Sequence, residues 1–81
     1  MAQVKPMKGM ATYADYEDAD SWRIGEMKTI IEAYGGTVVG ESGGEEDNEY
    51  RIAFRFAIVD EYNRIEASGA EVGWEVEWVR R

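Results

Sequence analysis

With 81 residues the chain has room for one domain and one modest core, and 44% hydrophobic content with three Trp, five Tyr and two Phe suits a folded globule. Cys and His are both missing, which excludes disulfides, thiolate metal sites, Cys nucleophiles, the commonest general base and the usual zinc ligand. A net charge of −8, from 17 acidic and 9 basic side chains, argues against direct nucleic-acid or anionic-membrane binding and suits a basic protein partner.

Residues 1–7 carry no periodicity and hold the single proline, so they read as a loose leader to one α+β domain over 8–81. No apolar run reaches membrane-spanning length and no signal-peptide pattern opens the chain, so a cytoplasmic protein is expected. Lys8–Ala14 (KGMATYA) reads as a first strand, facing the core with either Met10 and Thr12 or Ala11 and Tyr13. Gly9 and the two alanines make it the weakest of the strands.

Asp15–Asp20 (DYEDAD) reads as a loop that ends in a helix start, with Asp20 or Ser21 as the N-cap. Ile24, Met27, Ile31 and Tyr34 recur at helical spacing with Ile30 beside them, and Gly35-Gly36 supplies the C-terminal stop. Thr37–Glu41 is a short strand, and Ser42–Glu49 (SGGEEDNE) a flexible acidic turn. Tyr50–Val59 (YRIAFRFAIV) then alternates strictly for ten residues, with Tyr50, Ile52, Phe54, Phe56 and Ile58 on the core side.

Asp60–Ser68 fits a helix that starts at Asp60, buries Tyr62 and Ile65 and stops at Gly69, or a hairpin turning at Glu61–Asn63. The wording Ile31-Glu32-Ala33-Tyr34-Gly35 recurs 34 residues later as Ile65-Glu66-Ala67-Ser68-Gly69, which favours helix, glycine cap and strand in both places. Val72–Val79 alternates as the last strand, with Trp74 and Trp78 inward. The order βαββαβ predicts a ferredoxin-like plait, its strands ordered 4-1-3-2 and both helices on one face. The alternative is one helix on a three-stranded antiparallel meander.

In the plait, the loop after the first strand, the turn between the second and third, and the corner before the fourth share one end. Those segments carry Asp15, Glu17, Asp18 and Asp20, then Glu41, Glu45, Glu46, Asp47 and Glu49, then Glu71, with no Lys or Arg among them. Lys8, Arg80 and Arg81 fall toward the other end. Solubility alone explains many such charges; gathered together, they form a pole that steers a cationic partner. The expected partner-binding residues are therefore Asp15, Glu17, Asp18, Asp20, Trp22, Glu45, Glu46, Asp47 and Glu49. Trp22 enters because the helical wheel sets it opposite the Ile24/Met27/Ile31 stripe, beside Gly25, and exposed Trp is enriched in binding hot spots.

Asp15-x-Glu17-Asp18-x-Asp20 superficially suits a cation, yet Asp20 stands where a calcium loop needs its sixth-position glycine, so no metal site and no cofactor are expected. Gly35-Gly36 and Gly43-Gly44 match no phosphate-binding spacing, Ser21, Ser42 and Ser68 lack an activating His, and no enzyme is expected. Arg51 and Arg55, with Glu75 and Glu77, occupy the sheet face away from the helices. That face carries no base-stacking aromatics on its two legible strands, so it reads as solvated or as a contact with a second copy.

In size, acidity and want of catalytic residues the chain resembles small anti-defence proteins of phages, including anti-CRISPR proteins. The likeness is compositional. It implies a non-enzymatic inhibitor that imitates a nucleic-acid backbone to a basic partner. The alternative class is a regulatory or assembly domain that oligomerises through its sheet and binds a small ligand.

Overall fold

A computed structural model describes residues 7–57 and 62–79. The chain forms β1 (Met7–Tyr13), a single 3₁₀ turn (Tyr16–Asp18), α1 (Ser21–Ala33), β2 (Thr37–Gly44), β3 (Glu49–Phe56), α2 (Tyr62–Glu71) and β4 (Trp74–Val79). The four strands make one antiparallel sheet in the order β2-β3-β1-β4. This is the ferredoxin-like βαββαβ arrangement, with β1 and β3 central.

Strand register decides which side chains share a face. Gly9 lies opposite Phe54 and Trp78, Ala11 opposite Ile52 and Val76, and Tyr13 opposite Tyr50 and Trp74. Of the two faces that the first strand could bury, it is therefore the Ala11/Tyr13 side that turns inward. Met27 and Ile31 of α1 and Ile65 of α2 close over Ala11, Ile52, Phe54, Phe56 and Trp74, and these eight side chains are buried. Burying a large apolar side chain stabilises by about 1.5–3 kcal/mol, so this layer carries the fold.

The slightness of β1 has a packing cause. Phe54 and Trp78 meet edge to face with centroids 5.4 Å apart, on the two strands that flank Gly9. A Cβ on Gly9 would come within 2.5 Å of the Phe54 ring. A central strand between two aromatic strands has to be small there. Trp74 fills the other end of the core, 5.2 Å from the Tyr13 ring, and its buried indole N–H has no hydrogen-bond acceptor among the described residues.

Asp20 is the N-cap of α1, its Oδ1 accepting from the Arg23 N–H at 3.0 Å. At the other end Gly36 N–H donates to Ile31 O at 2.8 Å and Gly35 N–H to Glu32 O at 3.1 Å, with Gly35 at φ +91°. That is a Schellman termination.

Several boundaries differ from those predicted. Met7 is not leader but strand, paired with Phe56. β2 continues through Ser42, Gly43 and Gly44, so the turn shrinks to Glu45–Asn48; Gly43 can pair because a Cβ there would lie 2.6 Å from Glu49 O. β3 takes in Glu49 and ends at Phe56; Ile58 and Val59 lie outside the described residues, as do the Asp60 helix start and the Tyr62 side chain.

Residues 62–71 are helical, which removes the hairpin, but Gly69 does not stop the helix. It packs instead, since a Cβ there would meet Val76 Cγ2 at 3.0 Å and Met27 at 3.5 Å. The real stop is Val72-Gly73, with Gly73 at φ +91°, and β4 accordingly starts at Trp74. The 34-residue echo thus places a cap at Gly35 and a packing contact at Gly69.

Gly25 contrasts with Gly9, because nothing lies within 4 Å of a Cβ built on it. Gly25→Ala, in the middle of α1, is expected to stabilise by about 1 kcal/mol. Gly9→Ala is expected to destabilise by about 1–3 kcal/mol through overpacking against Phe54. Denaturant midpoints of the two variants, read beside the parent, check both signs.

Candidate protein-binding tip

The C-terminal end of β1 meets the N-terminal ends of β3 and β4 where Tyr13 pairs with Tyr50 and Trp74. Everything that leaves the sheet at this edge forms one tip. The Tyr16 N–H donates to both the main-chain oxygen and Oδ1 of Asn48, each at 3.2 Å, so the loop after β1 is tied to the β2–β3 turn. Tyr16 also stacks on Tyr50, centroids 6.4 Å apart at 19°. Asn48 sits at φ +55°, a left-handed position that Asn tolerates, and donates its N–H to Gly44 O at 3.0 Å. DYEDAD and SGGEEDNE thus project from the same end of the sheet, and Glu71, at the close of α2, precedes the corner into β4 there.

The carboxylates at the tip are not equivalent. Glu17 and Asp18 on the 3₁₀ turn and Glu45 and Glu46 on the hairpin are exposed and have no cationic partner among the described residues. Asp15 is half-buried ahead of the 3₁₀ turn, and Asp20 is committed to capping α1. Asp47 and Glu49 are both bound by Arg51 Nη2, at 3.0 and 2.6 Å. Glu41 is paired with Lys28 at 2.5 Å and accepts from the Tyr50 hydroxyl at 2.6 Å.

The two acidic segments expected to share an end do so, but fewer of their charges are free than their positions suggested. Glu49 was expected in the turn rather than in β3, and Arg51 and Lys28 were passed over as neighbours of the acids. Part of that was readable: Glu49 and Arg51 share a strand face at period two, and Asp47 is four residues from Arg51 across the turn. The Lys28–Glu41 pair joins a helix to an edge strand and had no local signal.

Trp22 stands at the rim of the tip, 60% exposed, in the first turn of α1. The Arg23 guanidinium lies 5.7 Å from its ring and 5.3 Å from that of Tyr13. A cation over two aromatic faces holds this corner together by about 0.5–1 kcal/mol per exposed contact. Among the described residues no three acidic side chains converge to hold a metal ion, and no helix is long and apolar enough to cross a membrane.

No protein-family model matches this chain, and no curated protein matches it significantly.

The Glu41–Tyr50 contact makes the tip's support titratable. Hydrogen bonds from Lys28, then from Tyr50, hold the Glu41 carboxyl below its ordinary 4.5. The Glu41 carboxylate, with burial adding to it, pushes the Tyr50 phenol from 10.0 up to about 12. A lowered acid contributes stability that is complete above 4.5 and is lost as pH falls through its folded value. A raised phenol contributes stability that is complete below 10.0 and is lost as pH rises toward about 12. In an ultraviolet titration of tyrosinate, Glu41→Ala is expected to move the Tyr50 step down toward 10.0. A step that stays put would show that Glu41 does not hold the hydroxyl.

Proposed function

We propose that the protein is a non-enzymatic binding module or inhibitor whose acidic tip engages a basic protein surface, one that in its own right binds nucleic acid. The observation that carries this reading is the tie between Tyr16 and Asn48, which holds two acidic segments 32 residues apart on one end of the sheet. Carboxylates spread over a surface mainly confer solubility; gathered on a tip they produce a local potential of several kT that steers a cation-rich partner. Glu17, Asp18, Glu45 and Glu46 are the charges available for it. Trp22, exposed in the first turn of α1, offers the apolar anchor that a purely electrostatic contact lacks. An inhibitor of the phage anti-defence type, occupying a site built for a phosphate backbone, is the form of this function that fits the composition.

The test is a pull-down from the native host with the protein as bait, at low and at high salt, followed by identification of what is retained. A bait carrying Glu17→Lys, Asp18→Lys, Glu45→Lys and Glu46→Lys is compared with the parent and with a control bait carrying Glu32→Lys, exposed on α1 away from the tip. Asp47 is spared, since it holds Arg51. Retention should be lost at high salt and with the tip variant, should survive in the control, and should be competed by duplex DNA. A partner that binds parent and tip variant equally well would remove this function.

A further inference from the structure

The face of the sheet turned away from the helices has no covering within the described chain, and register arranges its side chains as a grid. One row across the strands reads Ser42, Arg51, Thr12, Glu75, the next Gly40, Ala53, Met10, Glu77, and the last Thr37, Arg55, Lys8, Val79, in the order β2-β3-β1-β4. Read down the strands, the β3 column carries Arg51 and Arg55, with Glu49 beyond Arg51 and bound to it, the β4 column is anionic (Glu75, Glu77), and the β1 column between them carries Met10 and Thr12 at its centre. A shallow hollow of about 420 Å³ lies over this centre, lined by Met10, Thr12, Glu49, Arg51, Glu75 and Glu77 among others.

We infer that this face is the interface of a homodimer, with two copies packed face to face about a two-fold axis running along β1. Such a rotation maps β1 onto itself and exchanges β3 with β4. Arg51 then faces the second copy's Glu75, which shares its row, and Arg55 lies one row from the second copy's Glu77. Each pair occurs twice, as an isologous interface requires. Met10 meets its own counterpart at the centre, so an apolar core is ringed by four ion pairs, the ordinary anatomy of an interface.

The alternatives fit the charges less well. Turning the second copy about an axis across the strands sets β3 over β3 and β4 over β4, like charge on like. Joining β4 to β4 edge to edge places Glu75 and Glu77 beside the same residues of the second copy, which is destabilising. The β2 edge is interrupted by its bulge between Val38 and Gly40.

Arg51 is prepared for the part. Its contacts with Asp47 and Glu49 both use Nη2, leaving the Nη1 and Nε donors of a guanidinium already held in place. Sheets stack about 10 Å apart, a gap that Arg and Glu side chains span together, while Lys8, which the same axis sets over its own counterpart, lies in the outer row where its long stem carries the charge to water. Only β3, β1 and β4 overlap in this arrangement, and three strands about 4.8 Å apart and about 20 Å long outline roughly 300 Å² per copy, below the size of a standard specific interface, so the dimer is expected to be weak and reversible.

Sedimentation velocity over a concentration series, at low and high salt, tests this. The parent should shift from monomer to dimer with concentration, less readily at high salt. Arg55→Glu or Glu77→Arg alone should raise the dissociation constant about tenfold or more, and the two together should recover much of the affinity by swapping the pair. Met10→Lys should abolish the dimer, and circular dichroism of each variant verifies that the sheet is intact. The four-Lys tip variant should dimerise as the parent does, so this result stands or falls apart from the tip's function. A monomer throughout the series would overturn the inference and leave the face to solvent or to a different protein. So would a dimer indifferent to Arg55→Glu, Glu77→Arg and Met10→Lys, or one broken only by the tip variant.

Discussion

The structure rests on one steric arrangement: two aromatic side chains closing over a strand with no side chain at that point. Phe54 and Trp78 come from the strands on either side of β1 and touch above Gly9. Phe56 joins them, 5.6 Å from Phe54 and 5.7 Å from Trp78. Because the rings cross the strand, the two halves of the fold share one core rather than packing separately. The helices need only cover this cluster, which Met27, Ile31 and Ile65 do. Trp78 is also moored from above, its indole N–H donating to Glu66 of α2 at 2.8 Å. That bond ties β4 to the helix that precedes it.

At the opposite end of the sheet the same logic is carried out with tyrosines. Tyr13, Tyr50 and Trp74 form a second aromatic group, on which Tyr16 stacks from the loop and over which Arg23 lies from the helix. This group gives the acidic loops a rigid floor. Loops without such support sample many arrangements, and their charges average over space; here the Tyr16 N–H, shared between the main-chain oxygen and Oδ1 of Asn48, holds one loop to the other. Like-charge repulsion at the tip is offset in part by Arg51 and Lys28, which neutralise the acids nearest the sheet and leave the outermost ones bare.

The molecule thus has two chemically different surfaces. The tip is anionic and borders on an exposed Trp, whereas the open sheet face is balanced in charge and patterned in columns. One presents an excess of a single sign, on which the proposed function rests; the other presents both signs, in the layout from which a self-contact is inferred. The two surfaces meet at Arg51, whose backbone belongs to the face and whose guanidinium holds the acids of the turn.

Much of this was determined by the sequence alone, because its signals are local. The alternation from Tyr50 onward, the helical spacing of Met27 and Ile31, the Asp20 cap and the Gly35 stop each depend on neighbours within a few residues, and strand order followed from element order. Where tertiary structure decided, the cause was contact between distant segments. Gly9 looked like a flaw in a strand until Phe54 and Trp78 occupied the space above it. Gly69 looked like a cap until Val76 and Met27 lay against it. The acids counted as free by position were divided into paired and unpaired by Arg51 and Lys28. Composition reports how many charges a chain carries; only three-dimensional neighbours fix which of them are already spent.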